Sequence, residues 1–187
     1  MGGGMNFIAT PLAGSFIVEL EQFRDDRGCF ARTFCQREFA RIGFDGKIVQ
    51  INHSLTRKPG TVRGMHYQRP PESEIKIIRC VAGAVFDVMV DLRAGSPTFL
   101  QWHGVELSAE NLKMVFIPEG FAHGFQALTG GVELIYHHSA FYSPAHEGGV
   151  RHDDPALGIR WPLPATDLSA RDRMFPPIDR HFKGLAL

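Results

Sequence analysis

IKIIRCVAGAVFDVMVDLR, residues 75–93, is the stretch on which the fold turns. Two runs rich in β-branched residues flank Ala82-Gly83, and Gly83 can supply the positive φ of a tight turn, so the stretch predicts a β-hairpin. In its second strand Asp87, Met89 and Asp91 share one face, and Phe86, Val88 and Val90 the other.

Runs of the same character recur on both sides. SFIVEL, KIVQINHS, GTVRGMHYQ, FLQWHGVEL, KMVFIP, HGFQAL and VELIYHH are separated by glycine, proline or polar turns between Ser15 and Tyr142. Together with the hairpin they make about nine strands, which predicts an all-β fold of antiparallel strands closed into a barrel or a jelly roll. Helical signal is confined to Gln36–Ile42 and a start at Ser169-Ala170-Arg171-Asp172. After Tyr142 the chain turns rich in proline, histidine and acidic residues, and is expected to wrap over the strands. Residues 1–4 are set aside as disordered or as a start-site remnant.

A length of 187 residues suits one domain, 1–187, with a substantial core. Lysine plus arginine and aspartate plus glutamate balance at 20 each, so no global field draws the chain to nucleic acid or an anionic membrane. The opening lacks a basic, apolar leader, and no window is long and apolar enough to span a bilayer, so a cytoplasmic protein is expected. Cys29, Cys35 and Cys80 are odd in number and show no Cys-x-x-Cys spacing, against a disulfide framework or zinc ribbon.

Two segments carry candidate chemistry. In Arg63-Gly64-Met65-His66-Tyr67-Gln68 a regular pleat puts Val62, Gly64, His66 and Gln68 on one face. Arg63 joins His66 in one site only if Gly64 introduces a bulge. In Ile117–Phe125, Pro118 and Gly120 build a turn before His123, a Pro-x-Gly-x-x-His pattern similar to the second signature of the cupin barrel. The first cupin signature is broken, because Gln68 stands where a second histidine belongs. His66, Glu72 and His123 are the available metal ligands, but Gln68 is a poor donor and Glu72 sits in a proline-rich loop, so neither metal nor cofactor is expected.

The strings DDRGCF (25–30), QINHS (50–54), GTVRGMHYQ (60–68), KIIRCVAGAVFDVMVDLR (76–93), SPTF (96–99), IPEGFAHGF (117–125), and DDP with WP between 153 and 162 stand in one order. Over nearly its whole length the chain resembles the dTDP-4-dehydrorhamnose 3,5-epimerase family. That resemblance implies a cupin-type jelly-roll barrel with a few short, mainly terminal helices, and a homodimer. It also implies an isomerase of deoxysugar and polysaccharide biosynthesis, needing no cofactor. The implied reaction inverts carbon 3, carbon 5 or both, beside the ketone of a nucleotide-linked 4-keto-6-deoxyhexose. The leading case converts dTDP-4-keto-6-deoxyglucose to dTDP-4-keto-rhamnose.

The resemblance also implies roles. His66 falls on the base, Asp172 on its partner, Lys76 on the stabiliser of the enolate oxygen, and Tyr136 on the opposite-face acid. These residue types suit such chemistry, since an imidazole titrates near working pH and an ammonium favours a developing oxyanion. Arg27 and Arg63 fall on arginines that meet the diphosphate, and Gln50, Asn52, His123 and Glu147 on other ligand positions. Around recognition the chain departs from the family pattern. Arg32 stands where a glutamate is usual, Phe141 where a tyrosine stacks on thymine, Arg171 where a lysine precedes the partner aspartate, and Ile51 where many members have aspartate. These departures leave a different nucleotide sugar, a carbon-3-only epimerase or a 3,4-ketoisomerase as alternatives. A metal-dependent cupin oxygenase is the more remote one.

Overall fold

Alternating side chains along most of the strands divide this molecule into two sheets with a shared interior. The structure, a computed structural model, describes residues 4–187. Its strands are β1 (Met5–Ala9), β2 (Phe16–Leu20), β3 (Gln22–Asp25), β4 (Gly28–Ala31), β5 (Gln50–Thr56), β6 (Val62–Gln68), β7 (Lys76–Ala82), β8 (Ala84–Asp91), β9 (Trp102–Ser108), β10 (Met114–Ile117), β11 (Phe121–Ala127), β12 (Val132–His138) and β13 (Glu147–Gly149). One six-stranded sheet runs β1-β2-β10-β7-β12-β5, one five-stranded sheet β13-β6-β11-β8-β9, and β3 and β4 form a separate hairpin. All named pairings within the sheets are antiparallel.

The jelly-roll barrel expected from the sequence is overturned. β1 and β5 are open edges of the larger sheet, β13 and β9 of the smaller, and among the described residues no strand ladder joins the two. Short alternating runs with frequent turns fit two open sheets as well as a closed one. Burial between facing sheets satisfies the apolar faces without closure. Nor are the helices mainly terminal: α1 (Gln36–Phe39), continued by a 3-10 turn at Ala40–Ile42, lies between β4 and β5, and only α2 (Ala170–Met174) lies near an end.

The hairpin predicted at Ala82-Gly83 is not formed either. Gly83 does take a positive φ of 69°, but β7 pairs with β10 and β12, and β8 with β9 and β11. The turn carries the chain from one sheet to the other. Both strands have two apolar faces, so each is placed centrally, with a neighbour strand on either side.

Ile78 of β7, Val85 and Met89 of β8, Phe125 of β11 and Leu134 of β12 meet between the sheets. Behind the larger sheet, Ile77 and Met114 pack on Phe39 and Phe44. That packing explains α1, which has no side-chain cap at Cys35 but buries Phe39 completely. Full burial of one such side chain is favourable by about 2 kcal/mol. Behind the smaller sheet, Met65, Val88 and Val90 are covered by Leu157, Trp161, Ile178 and Phe182, so the proline-rich tail does wrap over the strands. No described helix is long and apolar enough to cross a membrane. Of residues 1–4, 1–3 lie outside the described residues, whereas the Gly4 N–H donates to Glu21 Oε2 at 2.6 Å.

Candidate functional site

The strand faces that supply the inter-sheet core change character toward one end. On β7 Cys80 and Ile78 are followed by Lys76, on β12 Leu134 by Tyr136 and His138, and on β11 Phe125 by His123. With Asn52 and Ser54 of β5 and His66 of β6, these polar residues line a cleft of about 430 Å³. A period of two therefore places the site: the positions that fill the core inside become the cleft wall where the residues turn polar.

Arg63 reaches the same cleft through a bulge. His123 stands opposite His66 and Phe125 opposite Arg63, so three steps on β6 match two on β11. Gly64 sits at this irregularity with φ 119°, and a Cβ there would lie 2.5 Å from the Gly124 Cα. The two strands approach so closely that side chains are excluded at both glycines, since a Cβ on Gly124 would meet Met65 Sδ at 2.6 Å. This is the bend that the parity of Arg63 and His66 required.

α2 delivers the carboxylate. The Ser169 hydroxyl caps the helix by accepting the Asp172 N–H at 3.0 Å, which holds a 2 % exposed side chain against β6. Asp172 Oδ1 is 2.7 Å from His66 Nε2, and Oδ2 accepts the Gly64 N–H at 3.3 Å. Burial raises the Asp172 pKa, but the His66 hydrogen bond and charge, then Gly64 and Ser169, outweigh it and hold the carboxyl below its ordinary value. Arg171 Nη2 also lies 3.1 Å from His66 Nε2. A guanidinium only donates and an ionised carboxylate only accepts, so Nε2 cannot satisfy both. The buried carboxylate takes the Nε2–H, leaving the Nδ1 lone pair as the basic site.

The facing sheet supplies the opposite wall. The Tyr136 hydroxyl is 3.3 Å from Ser54 Oγ, and burial pushes its phenol far above the ordinary value, so it stays protonated as a donor. Lys76 Nζ is 3.2 Å from Glu74 Oε1 and donates to the His66 carbonyl at 3.3 Å, bridging the two sheets. Glu74 Oε2 is 2.6 Å from His138 Nδ1, and His138 Nε2 is 3.3 Å from Asn52 Nδ2. Deeper in, His123 Nε2 is 2.8 Å from Asp87 Oδ2, while Asp87 Oδ1 is buried without a hydrogen-bond partner among the described residues.

Of the residues singled out in the sequence, the cleft gathers His66, Asp172, Tyr136, Lys76, Asn52, Arg63, His123, Glu147 and Arg171. Glu147 accepts from Arg171 at 2.8 Å and from the Tyr142 hydroxyl at 3.0 Å. Four lie outside its lining. Arg27, on the β3–β4 hairpin, is paired with Asp25 and 90 % exposed. Arg32 is turned onto Glu38 at 2.7 Å, Phe141 is 64 % exposed, and Gln50 donates to Asn52 Oδ1 at 3.1 Å from beside the cleft. Gln68 donates to the Glu72 and Phe141 carbonyls, and no group of three His, Cys, Asp or Glu side chains among the described residues is arranged to hold a metal ion. Burial pushes the Cys80 thiol up to about 11, which makes it a packing residue rather than a nucleophile.

Sequence reasoning missed Glu74, His138, Ser54 and Asp87 as cleft or cleft-supporting residues. His138 was within reach, since it shares the face of Tyr136 two positions on. Glu74 precedes its strand, where no periodicity applies.

Known proteins resemble this chain in sequence and fold. The family described as dTDP-4-dehydrorhamnose 3,5-epimerase matches residues 9–180. The enzyme of that name from Salmonella typhimurium is 44% identical over 178 residues, covering 94% of this chain and 97% of its own. The crystal structure of the dTDP-6-deoxy-D-glucose-3,5-epimerase of Legionella pneumophila, in complex with dTDP-4-keto-L-rhamnose, superposes with a TM-score of 0.90 at 38% identity, covering 98% and 99% of the two chains. A 4-keto-6-deoxy sugar epimerase from the novobiocin gene cluster of Streptomyces spheroides gives 0.89 at 38% identity, covering 95% and 89%.

Proposed function

The chain belongs to the dTDP-4-dehydrorhamnose 3,5-epimerase family, and on that premise we propose how its cleft divides the labour. The chain is an isomerase that epimerises a dTDP-linked 4-keto-6-deoxyhexose. In our reading His66, oriented by Asp172, removes the proton from the carbon beside the ketone. Lys76 stabilises the enolate oxygen, and Tyr136 returns a proton from the other side. The observation that carries this reading is that His66 stands on one sheet and Tyr136 on the other, across a single cleft. Inversion needs a base and an acid on opposite faces of one carbon, and two facing sheets provide them.

The substrate is dTDP-4-keto-6-deoxyglucose, both carbons inverting to give dTDP-4-keto-rhamnose. Arg63 and Arg171 at the mouth suit a diphosphate, while Asn52, His123 and Glu147 hold the remaining polar groups. The protein acts in the cytoplasm as one epimerase domain and as a homodimer. Supporting the dimer, β5 is an open edge with Ile51 and Leu55 exposed, and the β3–β4 hairpin exposes Phe23 and Phe30 beside Arg27. Arg27, outside its own cleft, then serves the cleft of the second subunit.

Proton NMR of dTDP-4-keto-6-deoxyglucose incubated with the protein in heavy water tests the reading. Deuterium entering carbons 3 and 5 together with inversion is the expected result. Entry at carbon 3 alone identifies the single epimerase, and no entry with folded protein overturns the substrate assignment.

A further inference from the structure

Lys76 does not face the cleft as a free cation. Glu74, whose side chain is 9% exposed, stands 3.2 Å from its ammonium and 2.6 Å from His138 Nδ1. Burial works against ionisation of Glu74, but the His138 hydrogen bond, the Lys76 charge and the remaining contacts outweigh it, so the carboxyl lies below its ordinary range. The polar chain extends to β5: Gln50 Nε2 donates to Asn52 Oδ1, which leaves the Asn52 amide N–H₂ to donate to His138 Nε2. That direction makes His138 Nε2 the acceptor and Nδ1 the donor to Glu74. Its plane stacks on Tyr136 with centroids 6.1 Å apart and 16° between the rings. Among the described residues, the other groups packed about Lys76 bring no second anion into contact: β10 places Ile117 opposite it, β12 His138, and β6 the His66 carbonyl.

We infer that Glu74 is a positioning residue for the epimerisation, keeping the Lys76 ammonium charged and in place at the enolate oxygen, with His138 and Asn52 holding the Glu74 carboxylate in turn. The inference rests on the reading of Lys76 as oxyanion stabiliser. A nearly buried ammonium loses its proton more readily once its opposite charge is removed, and a tethering carboxylate fixes where a four-carbon stem points. The carboxylate also weakens the field that Lys76 offers the enolate. It therefore trades strength of stabilisation for a cation held in place.

The test is the pH dependence of kcat for Glu74→Gln, a near-isosteric change, beside Lys76→Ala and the unaltered protein. The alkaline limb of the Gln variant is expected to move down by about one pH unit or more, with KM little changed. A uniform fall in kcat with the limb unmoved assigns Glu74 a structural role only and overturns the inference. Should the Gln variant not fold, Glu74→Asp, which keeps the charge but withdraws it by one methylene, is expected to move the limb in the same direction by less. An unmoved limb in the folded Asp variant overturns the inference equally. Near-normal turnover in Lys76→Ala instead refutes the oxyanion reading itself, and so separates the two failures.

Discussion

Replacing Asp172 by Asn probes the dyad at its most constrained point. The carboxylate is 2 % exposed and accepts from His66 Nε2 at 2.7 Å through one oxygen and from the Gly64 N–H at 3.3 Å through the other. An amide has one acceptor oxygen and one N–H₂, so it cannot accept from both. If its oxygen keeps the imidazole in place, the N–H₂ abuts the Gly64 N–H, and the imidazolium formed on proton abstraction loses its counter-charge. A hydrogen bond to a charged group is worth about 1.5–3 kcal/mol, which converts to a loss of roughly 10- to 100-fold in kcat. If instead the N–H₂ turns to His66, it imposes the opposite tautomer and removes the Nδ1 lone pair. The corresponding exchange in a serine-protease triad costs about 10⁴-fold. We expect kcat to fall by about 10-fold at least, and by up to about 10⁴-fold by the second route, with KM within a few-fold. Heavy-water NMR at carbons 3 and 5 reads the rate, and circular dichroism checks folding. A folded Asn variant within about fivefold of the parent kcat would refute the reasoning, because neither route permits it.

Tyr136→Phe should separate exchange from inversion. His66 can remove and return the proton on its own side, so deuterium is expected to enter carbon 5 while epimerised product falls by about 10²-fold; loss of exchange and inversion together would assign the tyrosine to proton removal. Asp91, the last residue of β8, accepts from Arg93, Ser96 and Thr98 of the following turn, at 2.5–2.9 Å through their side chains. Burial alone would raise its pKa, but these bonds bring it to about 2. The folded value lies below the unfolded one near 3.9, so the unfolded chain binds the extra proton and stability is lost as pH falls. Asp91→Asn should therefore cost about 2 kcal/mol in urea unfolding at pH 7, and the difference should vanish between about pH 4 and 2; an equal difference at both ends would show that the charge is not what holds the turn.

Strand faces were legible in the sequence to the extent that alternation was clean. On β6 the shared face of His66 and Gln68 was readable, and the need for a bulge followed from Arg63, which lines the cleft where a regular pleat would have placed Val62. What alternation does not encode is which strand lies beside which. The Ala82-Gly83 turn has hairpin chemistry, yet two doubly apolar strands each demand two neighbours, and that demand separated β7 from β8. The same limit produced the expectation of closure. Four strands carry too little pattern to be seen, for local reasons: β13 is Glu-Gly-Gly, β3 and β4 bury almost nothing, and β1 is an edge with one buried residue. In the site, motif resemblance reached residues that single positions could not identify, Asp172 above all. Arg27, Arg32, Gln50 and Phe141, to which it also pointed, lie outside the lining of this chain's own cleft.

The placement of Asp172 on α2 has a consequence for the order in which this protein matures. His66, Lys76, His123 and Tyr136 all belong to strands that precede residue 139, and the central pairings of both sheets are complete by then. The carboxylate that pairs with His66, the base in our proposal, comes more than thirty residues later, on a five-residue helix secured by Ser169 and by its contacts with β6. During synthesis the nascent chain would possess its sheets and most of its polar wall before it possesses a working base. Architecture and competence are thus acquired at separate moments, and proteolytic trimming ahead of α2 would silence the enzyme while leaving the sheet framework's own pairings in place.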